Sequence, residues 1–175
     1  VIRYQPRSRV LGNLYKSQAL ELGRRGHDLL LVARTTAPMQ AIADQLPERD
    51  VQIRSVDLSD AEARNVLVSE LEKLPVHIII NSAGIATFGD FADLDYDYER
   101  AQFELNATAL FELTAAVIPG MVSRRDGGIV NVGSAAGNMA IPGNATYVGT
   151  KAMVNTYTEA CLLYTSDAAD EEDSV

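Results

Sequence analysis

The chain of 175 residues carries 24 acidic against 15 basic side chains, a net charge of −9, which excludes the basic face that non-specific nucleic-acid binding requires. Its one cysteine, Cys161, offers no disulfide framework or cysteine-based metal site, and no run approaches the ~18 apolar residues of a membrane span. Without repeats or linkers, the length gives a single domain able to bury a sizeable core.

The first 22 residues hold one glycine, Gly12, and no apolar strand precedes it. From residue 28 the pattern changes. The apolar, β-branched runs 28–34 (DLLLVAR), 51–58 (VQIRSVDL), 76–81 (VHIIIN) and 128–134 (GIVNVGS) are too continuous for half-exposed strands and predict buried parallel ones. Helix-period segments at 36–46, 60–74 and 96–124 separate them, so strand and helix alternate as in a βαβ fold. Ligands in such folds bind beyond the carboxyl ends of the strands, where Arg34, Asp57, Asn81 and Ser134 fall. Arg24 and Arg25 precede Gly26 at a helix end, where cations suit the dipole and glycine caps the turn. His27, at a turn, and His77, at the start of a strand, read as surface or edge histidines rather than metal ligands. The acidic stretch Asp90 to Glu104 reads as a solvated helix entrance, with Tyr96 and Tyr98 placed against a neighbouring subunit.

The last periodic segment carries Tyr147 and Lys151, four residues apart, and Ser134 lies thirteen residues before the tyrosine. Positions i and i+4 share a helix face, so the Lys151 ammonium can sit beside the Tyr147 phenol and favour its ionised form. Such a phenol can exchange a proton with a substrate near neutral pH. Ser134, at the end of a buried strand, can donate a hydrogen bond to a substrate carbonyl or hydroxyl at the same time.

Four stretches, the NSAG run at 81–84, the helix bearing Asn106, the strand ending in Ser134 and the segment with Tyr147 and Lys151, occur in the order and spacing of the short-chain dehydrogenase/reductase family. The chain resembles that family in its single-domain form, with Ser82 the one mild departure from its Asn-Asn-Ala-Gly motif. The resemblance implies an α/β, doubly wound parallel-sheet Rossmann fold and a nicotinamide-dependent oxidoreductase acting on a small carbonyl or alcohol. It makes Asn106, Ser134, Tyr147 and Lys151 the catalytic set, with Asn106 holding a water beside Lys151. Metal has no role in that chemistry. Cofactor contacts are expected at Arg34, Asp57, Leu58 through its backbone, Asn81, Ala83, Gly84, Tyr147 and Lys151. Arg34 ends the second strand where an acidic residue would grip the ribose of NAD; a cation there accommodates the 2′-phosphate and favours NADP. Asp57 is expected against adenine, with Ser59 or Asp60 the better cap for the helix that follows. Asn81, Ala83 and Gly84 let the backbone approach the adenosine half of the cofactor. The full-length enzyme is expected to be a cytoplasmic homo-oligomer with no membrane partner.

The family's glycine-rich turn, which presents backbone amides to a pyrophosphate, is not found where spacing requires it, at Arg9, Asn13 and Tyr15. Residues 161–175 read without mismatch as the translation of a sequencing-library adaptor. Residues 8–18 resemble the partner adaptor, differing at Val10, Asn13, Leu14 and Ser17. The sequence therefore predicts adaptor-derived ends at 1–18 and 161–175 around a partial domain, 19–160, that lacks the first strand with its glycine turn and the C-terminal part. Two alternatives to a working reductase follow: a truncated, inactive chain, and a non-catalytic nucleotide-binding Rossmann protein. The second has no need to retain Asn106, Ser134, Tyr147 and Lys151 together.

Overall fold

Five parallel strands form one sheet in the order β3-β2-β1-β4-β5: β1 (Ile2–Tyr4), β2 (Leu29–Ala33), β3 (Val51–Ser55), β4 (Ile78–Asn81) and β5 (Gly128–Asn131). This structure, a computed structural model, describes the backbone of residues 2–4 and 9–170 and the side chains of residues 15–161. Helices α1 (Arg9–Arg24), α2 (Thr36–Ala43), α3 (Ala61–Leu71), α4 (Tyr96–Phe103), α5 (Ala109–Arg124) and α6 (Ala145–Asp170) complete the chain.

The apolar runs of β2 and β4 are continuous because both faces of the sheet are covered. Along β2, Leu29, Leu31 and Ala33 enter one core with Tyr15, Ala19 and Leu20 of α1 and Met39 and Ile42 of α2. Val32 and, from β4, Ile79 enter the other, with Leu67 and Leu71 of α3 and Leu113 and Val117 of α5. Successive side chains of a strand point to opposite faces, so an unbroken apolar sequence feeds two layers at once. Asp60 caps α3 by accepting the Ala63 amide at 2.8 Å, and Asp95 caps α4 by accepting that of Tyr98 at 2.8 Å.

One expectation is corrected. The sheet has a first strand: Ile2–Tyr4 pairs with both β2 and β4 at its centre, where two parallel strands would otherwise present unpaired backbone groups to one another. Tyr15 is only 2% exposed; Tyr15, Ala19 and Leu22 recur at helical spacing and present one apolar face to the sheet. Gly12 lies within α1 and forms no turn; residues 5–8, between β1 and α1, are outside the described residues. At the other end α6 runs on through Cys161 to Asp170.

The expected helix 96–124 is interrupted by one wider π turn, Glu104–Thr108, between α4 and α5. By length and composition this combined segment could cross a membrane. Here Leu105, Leu113 and Val117 are instead buried against the sheet. Arg64, 2% exposed, ties α3 to it: its guanidinium donates to Glu104 at 2.7 Å, to Glu112 at 2.8 Å and to the carbonyl of Leu58 at 3.0 Å.

Candidate active site

The strand order reverses between β1 and β4, and the carboxyl ends of β4 and β5 supply Asn81 and Ser134. The Asn81 side chain turns inward, 3% exposed. It donates to Thr114 of α5 at 3.0 Å and to Asn131 of β5 at 2.8 Å, while the backbone carbonyl of Asn81 accepts the Val132 amide at 2.8 Å. Asn131 in turn donates to Thr158 of α6 at 3.0 Å. Asn81 thus braces the ends of two strands against two helices.

Asn106 lies in the π turn, 1% exposed. Its side-chain oxygen accepts the Ile85 amide at 3.0 Å, and its amide nitrogen donates to the Ile85 carbonyl at 2.8 Å and to Thr150 at 3.3 Å. These bonds pin the segment after β4, just past Ala83 and Gly84. A Cβ at Gly84 would stand 3.3 Å from the Asn106 oxygen and 3.8 Å from Lys151 Nζ, so both side chains flank this one glycine and a larger residue would wedge between them. A π turn within an α-helix often marks a functional site, and here it coincides with Asn106.

Tyr147 and Lys151 share one face of α6, with Nζ 5.9 Å from the centre of the phenol ring. The ammonium donates to the Val132 carbonyl at 2.7 Å, two residues before Ser134. Burial of Lys151, 6% exposed, lowers its pKa from 10.5 to about 8 because desolvation penalises the charged form. Ser134 caps a short 3-10 turn, Ala135–Asn138, its hydroxyl accepting the Ala136 amide at 3.1 Å. A hydroxyl has one donor and two acceptor sites, so this bond leaves the donor for an incoming oxygen.

At the other side of the crevice Arg34 follows β2 and Asp57 follows β3. Their charges are 3.8 Å apart, with side chains 38% and 43% exposed. That separation is beyond hydrogen-bond length, so the guanidinium keeps donors for an anion. One Asp57 oxygen accepts both the amide and the hydroxyl of Ser59, at 2.9 and 2.7 Å; the other faces Arg34. The Leu58 side chain is core, 1% exposed. Such a donor set suits the polar groups of a nucleotide lying across the strand ends. His77 lies 3.6 Å from Asp126 and, with His27, lines a depression at the opposite, amino ends of the strands. Among the described residues no group of three or more metal-binding side chains occurs.

Sequence reasoning passed over Arg64, Asn131 and Asn155. Each left a signal: Arg64 shares helical spacing with Leu67 and Leu71, Asn131 interrupts an apolar strand, and Asn155 continues the four-residue series of Tyr147 and Lys151.

A family model described as short chain dehydrogenase matches residues 14–166. Among curated proteins, the very-long-chain 3-oxoacyl-CoA reductase of Coprinopsis cinerea is 36% identical over 152 residues, covering 83% of this chain and 45% of that protein. An uncharacterized oxidoreductase of Myxococcus xanthus is 28% identical, with 84% and 60% covered. Among solved structures, a short-chain dehydrogenase from Sphingobium yanoikuyae in complex with NADPH superposes with a TM-score of 0.83 at 32% identity, covering 89% of this chain and 63% of that one. The bulky-bulky ketone specific alcohol dehydrogenase of Comamonas testosteroni gives 0.82 at 28%, covering 88% and 64%. The chain spans about half the length of the 3-oxoacyl-CoA reductases that it matches.

Proposed function

We propose that this chain, which belongs to the short-chain dehydrogenase family, is the cofactor-binding and proton-transfer part of an NADPH-dependent carbonyl reductase. The observation that carries the reading is the α6 face on which Lys151 lies against Tyr147 while bonding the strand end that leads to Ser134. A bound nicotinamide would supply the hydride, held by Lys151 and by the backbone around Ala83 and Gly84. Ser134 donates to the substrate carbonyl oxygen and fixes its direction. Tyr147 gives that oxygen its proton in reduction and removes it in the reverse reaction. Lys151, cationic below about pH 8, stabilises the phenolate left behind. Asn106 holds the loop after β4 so that Gly84 stays open beside Lys151.

The preference for NADPH over NADH rests on the loosely paired Arg34 guanidinium, and the solved Sphingobium relative with NADPH bound supports it. A carbonyl substrate is supported by the names of two relatives, a 3-oxoacyl-CoA reductase and a ketone-specific alcohol dehydrogenase. The test is steady-state NADPH oxidation by the full-length enzyme with an aromatic ketone or dicarbonyl. Tyr147→Phe should lower turnover by at least ~10²-fold, the scale of general acid catalysis, with the KM for NADPH little changed. Wild-type turnover in that variant would remove the assignment.

A further inference from the structure

Asn155 lies on α6 one turn beyond Lys151 and two beyond Tyr147, half-buried, and its amide brackets the peptide of Ser134 from both sides. The side-chain oxygen accepts the Ser134 N–H at 3.4 Å, and the nitrogen donates to the Ser134 carbonyl at 3.0 Å and to Asn138 at 3.0 Å. We infer that Asn155 is a positioning residue for Ser134, setting where its hydroxyl meets the substrate; this rests on the reductase reading of Ser134, Tyr147 and Lys151.

Two glycines make room for the bracket. A Cβ at Gly133 would stand 2.2 Å from the Asn155 oxygen, so no larger residue there would let the amide reach Ser134. A Cβ at Gly137 would stand 2.5 Å from the Lys151 carbonyl carbon and 2.6 Å from the Ala152 nitrogen. Those are backbone atoms, and no side-chain rotation relieves the clash. The turn bearing Ser134 is therefore seated directly on α6 at Lys151 and latched one turn later by Asn155. One helix carries the proton donor and its cation, and by way of this amide it also places the carbonyl-orienting hydroxyl.

Asn155 has no part in the chemistry except through Ser134, and that restriction is what the test reads. Ketone reduction with NADPH is compared in the full-length wild type, Ser134→Ala, Asn155→Ala and the double variant. Asn155→Ala should lower kcat by about tenfold, the scale of one or two lost hydrogen bonds, with the KM for NADPH unchanged. In the Ser134→Ala background the same substitution should change kcat by less than about twofold, the limit within which independent effects add. Additive losses in the double variant would overturn the inference. Asn155→Asp, which keeps the acceptor and removes both donated bonds, serves as a second variant and should follow the alanine pattern. A readout independent of turnover is hydrogen exchange at the Ser134 amide, expected to quicken in Asn155→Ala while the amides of Ile129 and Val130 keep their rates. Unchanged exchange at Ser134 would overturn the bracket. A wild type that fails to reduce ketones, with Ser134 exchange still quickened in Asn155→Ala, would refute the reductase reading alone.

Discussion

Replacing Lys151 by methionine should stabilise the fold at pH 7 while abolishing activity. The ammonium is 6% exposed, has one hydrogen bond, to the Val132 carbonyl at 2.7 Å, and forms no salt bridge among the described residues. Burial lowers its pKa from 10.5 to about 8, so between those values the unfolded chain binds more protons than the folded one. Stability must then rise as pH climbs through that window, and below about pH 8 the penalty of burying the charge is present in full. The shift is worth about 3 kcal/mol. Methionine has similar length and no charge; set against the lost hydrogen bond of ~1 kcal/mol, a net gain of about 2 kcal/mol remains. That is roughly 4–8 °C in Tm for a chain of this size. Urea unfolding from pH 7 to 10.5, followed by circular dichroism because the chain has no tryptophan, should show the wild type approaching and then losing its deficit. Parallel stability curves for the two proteins, or a methionine variant less stable at pH 7, would refute the reasoning.

Arg34→Asp should weaken NADPH binding by setting a carboxylate against the 2′-phosphate and shift the kcat/KM ratio toward NADH; an unchanged ratio would return Arg34 to the role of a solvated cation. Arg125 ends α5 in the left-handed region at φ 53°, so Arg125→Gly should stabilise the chain by ~1 kcal/mol, read as a higher denaturation midpoint. Arg64→Met leaves Glu104 and Glu112 facing a buried gap and should cost about 3 kcal/mol, less in combination with Glu104→Gln and Glu112→Gln. Gly137→Ala should lower turnover more than it lowers Tm, since it pushes the Ser134 turn from α6 while sparing both apolar cores.

Periodicity made β2 and β4 legible because each is apolar for most of its length, and β3 and β5 were legible by the β-branched pairs Val51 with Ile53 and Ile129 with Val130; the Tyr147–Lys151 spacing made one face of α6 legible because side chains four apart must meet. The first strand escaped, since three residues with one arginine among them leave no pattern; its place follows from its neighbours' pairing. The π turn escaped for a different reason. One extra residue in a turn shifts the helical phase without altering composition, so residues 96–124 read as a continuous helix. The inward turn of Asn81 was hidden because a motif gives residue identity and not which way a side chain points. Asn155 was hidden because its partner is the backbone of Ser134, and backbone groups leave no trace in the residue alphabet.

The run of contacts along α6, from Tyr147 through Lys151 and Asn155 to Thr158, makes this helix intolerant of changes in length. Each residue added or removed rotates everything beyond it by about 100°. A deletion between Tyr147 and Lys151 would therefore part the ammonium from the phenol, and one between Lys151 and Asn155 would release the Ser134 turn with every catalytic side chain still present. In a library of single-codon insertions and deletions, residues 147–158 should form a continuous dead zone.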